Sequence, residues 1–104
     1  DATGVFFYGN GVCEAYTATF RLALNMLGLD NHVAVNKVGD HIWNRVNVDG
    51  TWYNVDVTWN DSKDYLTGKY ENKYFMLTDQ ELREKNKNDY DPSAHDWDGA
   101  FLPN

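Results

Sequence analysis

Two alternating runs, His41 to Val48 and Thr51 to Thr58, meet at Asp49-Gly50, and no other stretch limits the fold as tightly. An Asp-Gly pair readily takes the left-handed conformations that a two-residue hairpin turn requires, and such a turn matches the twist of its flanking strands. With Asp49 and Gly50 as the loop, Val48 faces Thr51, and counting outward sets Trp43 opposite Asp56 and His41 opposite Thr58. His41 and Asp56 then become diagonal neighbours on one face, with Cα atoms roughly 7 to 8 Å apart, so an imidazole and a carboxylate can hydrogen-bond. Trp43, Arg45, Trp52 and Asn54 share that face, while Ile42, Val46, Val48, Tyr53, Val55 and Val57 fill the other. The second face reads as core, and the first mixes aromatic rings with chemistry.

The only cysteine of the chain stands well upstream. Val5-Phe6-Phe7-Tyr8 reads as a short apolar element entering a glycine turn, Gly9-Asn10-Gly11, which leads into a helix over Glu14 to Leu27. Tyr16, Phe20, Ala23 and Leu27 make its apolar stripe, and Gly28 is the stop signal. Cys13 falls at the first turn of this helix, where unpaired backbone N–H groups and the positive end of the helix dipole favour a thiolate over a thiol. By itself a lone cysteine is most often a small buried hydrophobe. Its reading therefore depends on what the rest of the chain brings near it.

The remaining segments are a strand over His32 to Val38 ended by Gly39-Asp40, a loop over Ser62 to Asn72, and a strand over Lys73 to Leu77. Thr78 and Glu81 have capping-box spacing and start a short polar helix that fades near Lys87. The tail from Asn88 to Asn104 is expected to run irregularly over the surface. A chain of 104 residues makes one domain, and 16 acidic against 9 basic residues oppose binding to nucleic acid or anionic membranes. No apolar stretch reaches the length of a membrane span. One cysteine excludes an intrachain disulfide and leaves too few thiols for a cysteine-rich zinc site. Asp89, Asp91, Asp96 and Asp98 lack the ligand spacing of a calcium loop, so they read as a solvated acidic tail.

A nucleophilic thiol needs a histidine to take its proton and return it to the leaving group, and a third group to orient that ring. Cys13 at the helix start, His41 at a strand start and Asp56 on the partner strand supply the three types. Acyl transfer also needs donors for the tetrahedral oxyanion: the Cys13 backbone N–H is one, and Tyr8 or Asn10 is a candidate second. Trp43 is the best aromatic for a pocket wall. His95, in the polar tail, reads as structural, and His32 as packing or solvent-facing.

Gly11-Val12-Cys13-Glu14-Ala15-Tyr16, His41-Ile42-Trp43-Asn44 and Trp52-Tyr53-Asn54-Val55-Asp56-Val57-Thr58-Trp59-Asn60-Asp61 together resemble the catalytic core of the transglutaminase-like superfamily, in particular its bacterial branch. Tyr74 to Asp79 and His95-Asp96-Trp97 are similar to the segments downstream of that core. The resemblance implies an α+β domain with a papain-like arrangement, the nucleophile-bearing helix packed on an antiparallel sheet with a short C-terminal helix. It implies Cys13 as nucleophile, His41 as base and acid, and Asp56 as orienting carboxylate. The reaction implied is amide acyl transfer through a thioester, ending in hydrolysis (a cysteine peptidase or amidase) or in crosslinking to an amine. Its partner is a protein or peptide substrate, it requires no cofactor, and similar domains suggest a secreted or cell-surface bacterial setting. Members of the family carry a helical segment before the cysteine block, whereas twelve residues precede Cys13 here. The chain is therefore expected to be a piece of a longer protein or a short form, in which uncovered apolar surface favours a homodimer. The reading from a different class is a non-catalytic binding or scaffold module that retains the same three residues.

Overall fold

The computed structural model describes residues 11–57, 74–88 and 91–102, and the side chains of these from residue 14 onward. Tyr8, Asn10 and the loop expected over Ser62 to Asn72 lie outside the described residues. In chain order the elements are α1 (Gly11–Met26), β1 (Asn31–Val35), β2 (Ile42–Val48), β3 (Thr51–Val55), α2 (Asp79–Asn86), a 3-10 helix (Pro92–His95) and β4 (Phe101–Leu102). The four strands form one antiparallel sheet in the order β3-β2-β1-β4, so the fold is α+β. No helix among the described residues is long and apolar enough to cross a membrane.

The hairpin has the expected register, Val48 against Thr51 and Asn44 against Val55. Asp49 and Gly50 take φ of 53° and 88°, the double left-handed pattern that a two-residue turn demands. Alternation along β2 then sends its residues to opposite sides. Val46 packs with Val55 and Leu24 of α1, and Asn44 Nδ2 donates to the Thr17 carbonyl of the same helix. Trp43 packs on the opposite side with Ala34, Tyr74 and Leu82 of α2, and Arg45 pairs with Asp79. Helical layers thus cover both faces of β2.

Helix α1 ends as its glycine predicts. Gly28 has φ of 74°, its N–H reaches Asn25 O, and the Leu29 N–H reaches back to Leu24 O, which closes the last turn. The buried stripe differs from the expected one. Thr17 and Leu24 face the sheet with Phe20 partly buried, while Tyr16 and Leu27 are exposed. At that contact the buried Asn44 amide finds its acceptor in the backbone carbonyl of Thr17.

Two further expectations change. The segment before α2 is no regular strand: Leu77 makes an isolated bridge with Asn54, and Tyr74 O accepts from Asp56 N at 2.9 Å. Met76, at φ of 57°, breaks the alternation, which lets Tyr74 and Leu77 enter the same cluster although their spacing in a strand would send them to opposite faces. The tail, expected to be irregular, instead forms the 3-10 helix and then β4, which pairs with β1 at Val33–Leu102 and Ala34–Phe101.

One buried side chain ties the tail to the hairpin. Asn36 Oδ1 accepts from the backbone N–H of Gly39, Asp40 and His41, and its Nδ2 donates to Asp40 Oδ1 and Ser93 O. It therefore folds the β1–β2 turn and grips the 3-10 helix at once. Asn36→Ala is expected to lower stability by about 2 to 3 kcal/mol, since several buried groups lose partners together. Urea unfolding should show a lower midpoint at an unchanged slope; a loss under about 0.5 kcal/mol would mean water replaces the side chain.

Candidate active site

The β1–β2 turn delivers His41 immediately before β2, and Asp56 follows immediately after β3. The hairpin register brings them together as anticipated. His41 Nε2 lies 2.5 Å from Asp56 Oδ2, and both residues are buried. The structure adds a partner that reads in sequence as merely structural: His95 Nε2 stands 2.7 Å from the same oxygen. One carboxylate oxygen thus serves two imidazoles.

Burial pushes the Asp56 carboxyl up, but hydrogen bonds from His41 and His95, with the charge those rings can carry, outweigh it and hold the group below its ordinary value. An ionised carboxylate only accepts hydrogen bonds, so each imidazole must present Nε2–H to it. For His41 this sets the tautomer with its proton on Nε2. The ligand atoms of His41, Asp56 and His95 lie within 4.8 Å of one another, the spacing of a metal donor set, yet both ring contacts are hydrogen bonds to one oxygen.

The rings around this carboxylate make a dry floor. Trp43 is 1% exposed, and its Nε1 donates to Asn54 Oδ1. Trp43 therefore lies in the core, and the pocket-wall role expected for it gives way to support from beneath. It stacks with His41 at 6.1 Å and meets His95 edge-on at 5.1 Å. Tyr74 stacks on the other histidine, His95, at 5.1 Å. Asn54 also donates to Asp79 Oδ1, and Asp79 Oδ2 accepts from Arg45, so the start of α2 is bound to the sheet behind the floor. The Arg45 guanidinium sits over the Trp97 and Trp52 rings at 4.4 and 5.2 Å. His32 is held between Trp52 and Phe101 and is a packing residue.

Cys13 is the third residue of α1 and so lies in its first turn. Its side chain, like Tyr8 and Asn10, lies outside what the structure describes. His95 is hard to find by sequence reasoning because it pairs across 39 positions with a residue already matched to His41. Its signal is weak but present: His95 stands between Ala94 and Trp97 in an acidic stretch, and Ala94 and His95 are both buried. No protein-family model matches the chain, and no curated protein or solved structure matches it either.

The shift of Asp56 has a sign that can be tested. Because the native state favours the ionised form, its stabilisation is complete above the unfolded carboxylate pKa near 4 and is lost as pH falls through the lower native value. Asp56→Asn should cost about 3 kcal/mol at pH 7. In urea unfolding across pH, the gap between parent and variant should narrow below pH of about 4; a constant gap would show that ionisation contributes nothing.

Proposed function

We propose that this chain carries a thiol-dependent acyl-transfer site of the papain and transglutaminase type, with Cys13 as nucleophile, His41 as proton carrier and Asp56 as orienting carboxylate. The observation that carries the reading is the buried His41–Asp56 hydrogen bond through Nε2, the tautomer that a base acting through Nδ1 requires. The course of α1 supports it. Leu24 packs with Val46, and one stage back along both elements Thr17 meets Asn44. Continued in the same direction, the helix start bearing Cys13 runs toward the end of β2 that begins beside His41.

In this reading His41 Nδ1 takes the Cys13 proton and the thiolate attacks an amide carbonyl. The helix-start N–H of Cys13 donates to the resulting oxyanion, with Tyr8 or Asn10 as second donor. His41 then protonates the departing amine, and a thioester remains on Cys13. Attack by water gives a peptidase or amidase, and attack by a lysine amine gives a crosslink. Hydrolysis is preferred, since water is always present while an amine acceptor needs a built site. The substrate class is a protein or peptide. The competing reading, a non-catalytic module that keeps these residues, draws on the burial of His41.

Iodoacetamide labelling of Cys13 across pH separates the two. An active site should label well below the pH of about 8.5 at which a free cysteine ionises. Replacing His41 with Ala should raise the midpoint toward that value, with a smaller rise for Asp56→Asn. A profile of an ordinary thiol, the same in all three proteins, would remove the acyl-transfer reading.

A further inference from the structure

Three possible ligand atoms from separate parts of the chain meet at one place. His41 Nε2 stands 2.5 Å and His95 Nε2 2.7 Å from the same oxygen of Asp56, and the ligand atoms of the three residues lie within 4.8 Å of one another. Two imidazoles and one carboxylate are a donor set that zinc takes, at about 2.0 to 2.2 Å from each ligand atom. Tetrahedral zinc holds such a nitrogen and oxygen about 3.3 Å apart, so each ring has to withdraw by less than about 1 Å to admit the ion. The approach lies on the side of His41, whose side chain is 10% exposed, against 4% for Asp56 and 0% for His95. Trp43 and Tyr74 pack against these rings, and their carbon surface lowers the local polarity, which strengthens contacts between charges. Calcium and magnesium need several oxygen ligands, and the cluster holds one carboxylate.

We propose that His41, Asp56 and His95 form a zinc site, in which the ion bonds to both Nε2 atoms and to the Asp56 carboxylate, and that filling it switches off acyl transfer. The switch follows from the ring protons. A neutral imidazole that gives its Nε2 lone pair to zinc carries its one proton on Nδ1. His41 Nδ1 then has no lone pair with which to take the proton of Cys13. The switch rests on the acyl-transfer reading, and the metal site does not.

The test adds zinc chloride to the whole chain and follows the histidine rings by long-range 1H–15N spectra. His32, packed between Trp52 and Phe101, is the internal control. We expect saturation at one zinc per chain, with Nε2 of both His41 and His95 moving to metal-bound positions, Nδ1 of both protonated, and His32 unmoved. Affinity measured by calorimetry should fall at least about tenfold in His95→Gln and in His41→Ala. Zinc held by Cys13 and His41 alone would leave His95 unshifted and would overturn the site, as would a titration that moves neither ring. Because the spectra are read on the parent protein, they decide the site even where a variant fails to fold. Iodoacetamide labelling of Cys13 tests the switch. Saturating zinc should suppress labelling below the ordinary thiol pKa of about 8.5, and removal of the ion by EDTA should restore it. Zinc on all three ligands with labelling unchanged would overturn the switch and keep the site. An ordinary thiol in the parent, indifferent to His41→Ala, would overturn acyl transfer and the switch together, while the ring spectra still decide the site.

Discussion

The desolvated carboxylate of Asp56 is the constraint that the rest of the molecule meets. An ion taken from water costs several kcal/mol unless donors replace its hydration. Here the replacement comes from two histidines on separate parts of the chain, at 2.5 and 2.7 Å from one oxygen. Neither part is free to drift, since a withdrawn donor would leave buried charge unpaired. The carboxylate therefore works as a fastener between the hairpin and the 3-10 helix.

Polar groups do similar work across the structure, where a domain of this size has limited apolar surface to use. Asn36 closes the turn before His41 and holds Ser93, Asn44 anchors α1, and Asn54 links Trp43 to Asp79. Each is buried, and each meets groups that a water molecule would otherwise have to reach. Such contacts depend on direction as well as burial, so they fix orientation where apolar packing alone would permit sliding. That property holds the His41 and His95 rings to one oxygen of Asp56.

The parts legible in sequence are those with local causes. Asp49-Gly50 sets the hairpin register, and the Thr78–Glu81 capping box starts α2 with both reciprocal hydrogen bonds in place. The His41–Asp56 pair comes from that register by counting. The parts that sequence hides are non-local. The two residues of β4 carry no strand pattern of their own and become a strand only because β1 offers an edge. Placing His95 requires knowing where Asn36 holds Ser93, which no spacing encodes. The stripe of α1 is ambiguous because apolar residues lie on more than one side of it, and the sheet selects the side bearing Thr17. Trp43 resembles a pocket wall in sequence since hydrophobic rings on a chemical face look alike until the covering layer is known.

The pairing of β4 with β1 also governs when the molecule can exist. On the ribosome, the hairpin can form once residues 41 to 55 have emerged, but the neighbour of β1 on its other side comes from residues 101 and 102. The second imidazole for Asp56 arrives almost as late. A nascent chain therefore waits with β1 unpaired on one side and a half-solvated carboxylate until residues 95 to 102 have been made. Long-range closure of that kind is slow and leaves intermediates exposed to wrong partners. Asp56 is made 39 residues before the second imidazole that reaches it.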